Sequence, residues 1–172
     1  KLMDNLCDIV AEEQAKLGYM KEPIRLYYPL SSLNHFFGGD ASADEMQEKL
    51  SKFKSFAYDK FGEVEITHKG ERFCFFLSER ATEYVHENGG QNQFIFDLVE
   101  LLAKHGTVME EVEALFAKQK DAYEIEKMNH GEFDYMIHFV DSKDKYLYCF
   151  KDEGCHIIYH RFLPEDYEDL GL

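Results

Sequence analysis

From Ser42 to Phe61 the apolar positions recur every three or four residues. Met46, Leu50, Phe53, Ala57 and Phe61 share one face at the helical period, which predicts a long amphipathic helix whose stripe needs a core. Ser42 with Glu45 has the capping-box spacing at its start, and Gly62 stands at its end. The period then drops to two. Glu63 to Thr67 alternates with Val64 and Ile66 on one side, a turn follows over His68-Lys69-Gly70-Glu71, and Arg72 to Leu77 is a second strand rich in aromatic residues. Gly70 supplies the positive φ that a tight hairpin needs. Upstream, Leu2 to Leu17 predicts an amphipathic helix with Leu2, Leu6, Ile9, Val10 and Leu17 near one face and Gly18 closing it, and Ile24 to Tyr28 a short extended piece. Pro29 then opens a helix through Leu33 and Phe37 that Gly38-Gly39 ends, and beyond the hairpin Ser78 to Val85 is helical again.

Asn88-Gly89-Gly90 breaks the pattern and divides the chain into domains 1–88 and 89–172. Phe94, Ile95, Leu98, Leu101 and Leu102 predict an apolar helix that stops at Lys104-His105-Gly106. Thr107 with Glu110 has the spacing of a second capping box, ahead of a helix carrying Val108, Val112, Leu115 and Phe116. From Glu132 the period is two, with Phe133, Tyr135, Ile137 and Phe139 on one side, followed by strands at Tyr146 to Phe150 and Cys155 to Phe162. Leu163 to Tyr167 predicts a short terminal helix. The fold class is α+β: a winged-helix-like N-terminal unit, then a helical hairpin packed on a three-stranded antiparallel meander.

The order helix, helix, hairpin over residues 30–88 resembles the winged-helix arrangement, in which the second helix of the pair enters the DNA major groove. Its outward face here is predicted to carry Asp44, Glu45, Glu48 and Asp59 against Lys52, which repels phosphate. The hairpin gathers His68, Lys69 and Arg72, so Lys69 and Arg72 are the residues a DNA-binding regulator would use. Lys49, Lys54, Lys60 and Arg72 joined in one outward ridge would strengthen that reading. Separately, the stretches Gly131 to Tyr135, Cys155 to Tyr167 and Tyr27 to Leu33 resemble a family of small bacterial proteins known only as a domain of unknown function. That resemblance spans most of the chain and implies no activity, catalytic residue or cofactor.

Charge narrows the choice of partner. The net charge is −15, and no long segment is basic, which argues against nucleic acid and anionic membranes. No apolar run reaches membrane-spanning length and no signal peptide opens the chain, so the expected location is the cytoplasm. Cys7, Cys74, Cys149 and Cys155 form no C-x-x-C pair, the pattern of reduced thiols and not of a disulfide framework or zinc knuckle.

The candidate chemistry lies in the last strands. His156 and His160 would share a strand face, and His138 and Cys149 on neighbouring strands would complete a set of N and S donors, the basis of a metal-dependent enzyme as an alternative reading. Arg161 would hold a carboxylate or phosphate, or pair with Glu165 and Asp166. Glu132 and Asp134 would share a face as an acid and base, whereas Cys155 and His156, adjacent on a strand, point apart. No phosphate-cradling loop, H-E-x-x-H or G-x-S-x-G occurs. We therefore assign no catalytic residue, metal or cofactor. His138, His156, His160 and Arg161 are the ligand-binding candidates, and the expected function is a protein-interaction or adaptor module with a protein partner.

Overall fold

In the computed structural model, which describes residues 1–88, 92–129 and 131–169, the chain divides into two units, Lys1–Gln91 and Asn92–Leu172. Gly89 and Gly90, where the sequence places the boundary, lie outside the described residues. The first unit runs α1 (Leu2–Leu17), β1 (Ile24–Pro29), α2 (Leu30–Phe37), α3 (Ala43–Phe61), β2 (Val64–Lys69), β3 (Arg72–Leu77) and α4 (Glu79–Asn88).

Ser42 caps α3: its hydroxyl accepts from the Glu45 N–H at 3.3 Å and donates to the Glu45 carboxylate at 2.9 Å. All five residues of the predicted stripe are buried, each contributing about 1.5–3 kcal/mol for a large side chain. Asn34 pins α2 to the start of α3, its amide donating to the Ala41 carbonyl and accepting from the Ala41 N–H at 3.0 and 2.9 Å. Gly38, at φ 71°, takes the left-handed cap that lets the chain turn between the two helices. Leu17 differs from expectation: it stands exposed on the last turn of α1, past the reach of the core.

The first sheet has the antiparallel order β1-β3-β2. Leu26, Tyr28, Val64, Ile66, Phe73, Phe75 and Leu77 turn inward to the helices. The opposite face is set by register. Arg25 stands opposite Phe76 and Phe76 opposite Glu65, with Tyr27, Cys74 and Thr67 in the next row and Pro29, Arg72 and Lys69 in the last. The Leu30 N–H donates to the Glu71 carbonyl, so the even residues of β1 bond to β3 and Arg25, Tyr27 and Pro29 aim their backbone at the outer edge. Pro29 has no N–H to offer there. The outer edge of β2 is met by Gln47 of α3, whose amide donates to the Ile66 carbonyl at 3.3 Å.

The second unit runs α5 (Gln93–Ala103), α6 (Met109–Ala117), β4 (Tyr123–Lys127), β5 (Tyr135–Phe139), β6 (Leu147–Asp152), β7 (Ile157–Phe162) and α7 (Pro164–Asp169). Fully buried Phe116 is the hub of its core, within ring contact of Phe94, Phe139, Tyr148 and Phe150. The meander has four strands in the order β4-β5-β6-β7, one more than the sequence predicted. β4 was missed because Tyr123-Glu124-Ile125-Glu126-Lys127 has no buried residue to carry an apolar alternation. Thr107 is a second correction. Its hydroxyl donates back to the Leu101 and Lys104 carbonyls and closes α5, while the Glu111 carboxylate accepts the Val108 N–H at the start of α6, where Val108 is an exposed N-cap and not part of the apolar face.

The outer edge of β4 presents backbone groups by the same alternation. Ala122 accepts from the Val140 N–H and the Met128 N–H donates to Asp134, so even residues bond to β5 and the backbone groups of Tyr123, Ile125 and Lys127 point off the sheet. At the far edge, before β7, the Cys155 carbonyl accepts the Gly106 N–H at 3.1 Å.

Candidate functional site

The histidines and Cys149 do not gather. His138 on β5 sits opposite Glu124, with Nε2 3.4 Å from its carboxylate. His160 on β7 is opposite Cys149 of β6, and β6 separates it from β5. Two strand spacings hold the two histidines roughly 10 Å apart. Cys149 is fully buried, and burial pushes its thiol up to about 11, the opposite of activation. His160 is exposed, with its ring beside Phe133 and Phe162. His156 precedes β7 and is not part of the strand. Its ring meets His105 edge to face at 5.5 Å, because the Gly106–Cys155 hydrogen bond draws the two turns together. Among the described residues, no group of three or more His, Cys, Asp and Glu is placed to hold a metal ion.

Arg161 is built into the sheet. Its guanidinium lies 4.2 Å from the centre of the Tyr146 ring, with its charge acting on the buried Tyr148 phenol, whose own proton goes to Asp144 at 2.6 Å. Burial, with the Asp144 charge behind it, raises the Tyr148 pKa and keeps the phenol protonated. Asp144 also accepts the Tyr146 N–H, and its own N–H donates to Ser142, so this network locks the β5–β6 loop. Glu132 and Asp134 precede β5 and form no strand pair: Asp134 accepts the Asp152 N–H at 2.8 Å, and Glu132 is exposed.

At the hairpin of the first unit, Lys69 and Arg72 are exposed neighbours on the outward sheet face. His68 leaves the predicted trio: it turns to the other side and stacks on Phe73 at 4.8 Å. In its place the pairing of β1 with β3 brings Arg25, Tyr27 and Phe76. Arg72 lies over Tyr27 at 4.3 Å and Arg25 over Phe76 at 4.9 Å. Tyr27 is 54% exposed, and a cleft runs along Tyr27, Tyr28, Pro29, Lys69, Glu71 and Arg72. Arg25 and Tyr27 carried no sequence signal of their own, since only pairing across the sheet unites them with Arg72. Of the four cations of the expected ridge, Lys49, Lys60 and Arg72 lean on three separate rings, Phe37, Tyr84 and Tyr27.

Both units are helices laid against an antiparallel sheet, which makes this an α+β protein. The chain belongs to the bacterial family described as "Domain of unknown function, E. rectale Gene description (DUF3877)", whose model matches residues 1–171. No curated protein and no solved structure matches the chain. Among the described residues no helix is long and apolar enough to cross a membrane.

Proposed function

We propose that this chain is a non-catalytic protein-interaction module that takes up an extended basic segment of a partner along the outer edge of β4. The observation that carries the reading is the row of outward backbone groups at Tyr123, Ile125 and Lys127, which offers a partner strand a hydrogen-bonding template. Charge selects the occupant. β4 carries Glu124 and Glu126 side by side on one face. A second copy of β4 is a poor fit, since antiparallel pairing about Ile125 sets Glu124 against Glu126 of the other strand. The shifted thiols and phenols support a non-catalytic role: Cys7, Cys149, Tyr123, Tyr148 and Tyr167 are all held toward their protonated forms. We also read the first unit as winged-helix-like, on its element order and the place of β1 beside β3. Its α3 exposes Asp44, Glu45, Glu48 and Asp59 among Lys49, Lys52 and Lys60, a mixed surface without the concentrated positive charge that duplex DNA needs.

The test is binding of labelled peptides that alternate valine with lysine or with glutamate, read by anisotropy and amide exchange. The lysine peptide should bind and protect the Tyr123, Ile125 and Lys127 amides, and Glu124→Lys with Glu126→Lys should switch the preference to the glutamate peptide. Binding that leaves those amides unprotected, indifference to the charge swap, or dimerisation through β4 would each overturn the proposal.

A further inference from the structure

Arg25, Lys69 and Arg72 gather on one outward sheet face, and none of the described carboxylates lies within ion-pair distance of them. We propose that the outward face of β1, β3 and β2 binds single-stranded nucleic acid, with bases stacking on the Tyr27–Arg72 and Phe76–Arg25 pairs and phosphates meeting Arg25, Lys69 and Arg72.

Register is the first support. Arg25 is directly opposite Phe76, and Tyr27 lies diagonal to both Phe76 and Arg72, so two arginine–ring pairs occupy adjacent rows of one solvent-facing surface. A guanidinium held over a ring presents a flat cationic surface on which an unpaired base can stack, while its N–H groups stay free for phosphate. The second support is the pair of aromatic rings itself. An acidic peptide would use the three cations but has no need of two flat platforms, and a duplex hides its base faces inside the stack. Glu65 opposite Phe76 and Glu71 in the turn border the site. They confine phosphate to the strip along the three cations, so binding is modest and sensitive to salt. Cys74, half-buried between the rings, leaves the centre of the face apolar.

The experiment uses the full chain with a fluorescein-labelled oligothymidylate, the matching duplex and a labelled acidic peptide, each titrated across a salt series. The single strand should bind best, with log K against log salt falling at a slope of about −2, as roughly three neutralised phosphates at about −0.7 each require. Tyr27→Ala should weaken it about tenfold, Tyr27→Phe should restore it, and Arg72→Ala should flatten the slope by about 0.7. These side chains are exposed, so an unchanged melting midpoint checks the fold, and Arg25→Ala gives an independent second variant. No binding at the lowest salt, equal or tighter binding to the duplex or the peptide, or indifference to Tyr27→Ala would overturn the proposal. Because β4 plays no part in this assay, its failure leaves the peptide reading standing, and the reverse.

Discussion

β1-β3-β2 and β4-β5-β6-β7 are both antiparallel sheets packed on helices, yet the surfaces they leave to solvent have opposite chemistry. The first turns Arg25, Lys69 and Arg72 outward with Tyr27 and Phe76, while the second ends in a strand bearing Glu124 and Glu126. The difference is not visible in charge summed along the chain, which is negative in both halves. Alternation sorts neighbouring residues to opposite faces, and pairing then joins residues far apart: Arg25 meets Phe76, and Tyr27 meets Arg72. Net charge per segment is thus a poor guide to the charge of a sheet face.

The two sheets rest on separate cores. Phe116→Ala should cost the second unit about 3–5 kcal/mol, read as lost amide protection across β5 and β6, while Phe75→Ala should do the same to β1 and β3. If either substitution releases both sheets together, the two cores are one cooperative system. A smaller contrast comes from pH. The buried Cys149 thiol is raised from 9.0 to about 11, so above pH 9 the unfolded chain loses a proton that the folded chain keeps. Stability of the second unit should therefore fall between pH 9 and 11 by about 2–3 kcal/mol, with Tyr148 adding to the loss at the upper end. Denaturation at pH 8 and 11 checks this, and Cys149→Ala should remove most of the slope. The smallest effect belongs to the first unit, where Ser42→Ala should lose about 1 kcal/mol with the cap of α3 and leave the second sheet unchanged.

Where an element buries one face, the sequence announced it. α3, β2 and β3 combine a cap, a stripe and a switch of period, and every inward residue named for α3 is buried. β4 does not bury a face, and so it gave no alternation of apolar and polar residues to find. Thr107 misled because a hydroxyl before a helix can equally serve the helix behind it. The candidate site was half legible: Lys69 and Arg72 are adjacent across a two-residue turn, but Arg25 and Tyr27 join them only through strand pairing. The histidine cluster failed for a related reason, since His138 and His160 belong to strands that the order of the sheet keeps apart.

Pro29 adds one more consequence. With Pro23 just ahead of β1, it leaves Arg25 and Tyr27 as the donors that strand can present sideways. Too few remain for a neighbouring molecule to lay down a continuous ribbon, so concentrated solutions should resist fibril growth from this flank. Any fibril that does form should seed on the outer edge of β4.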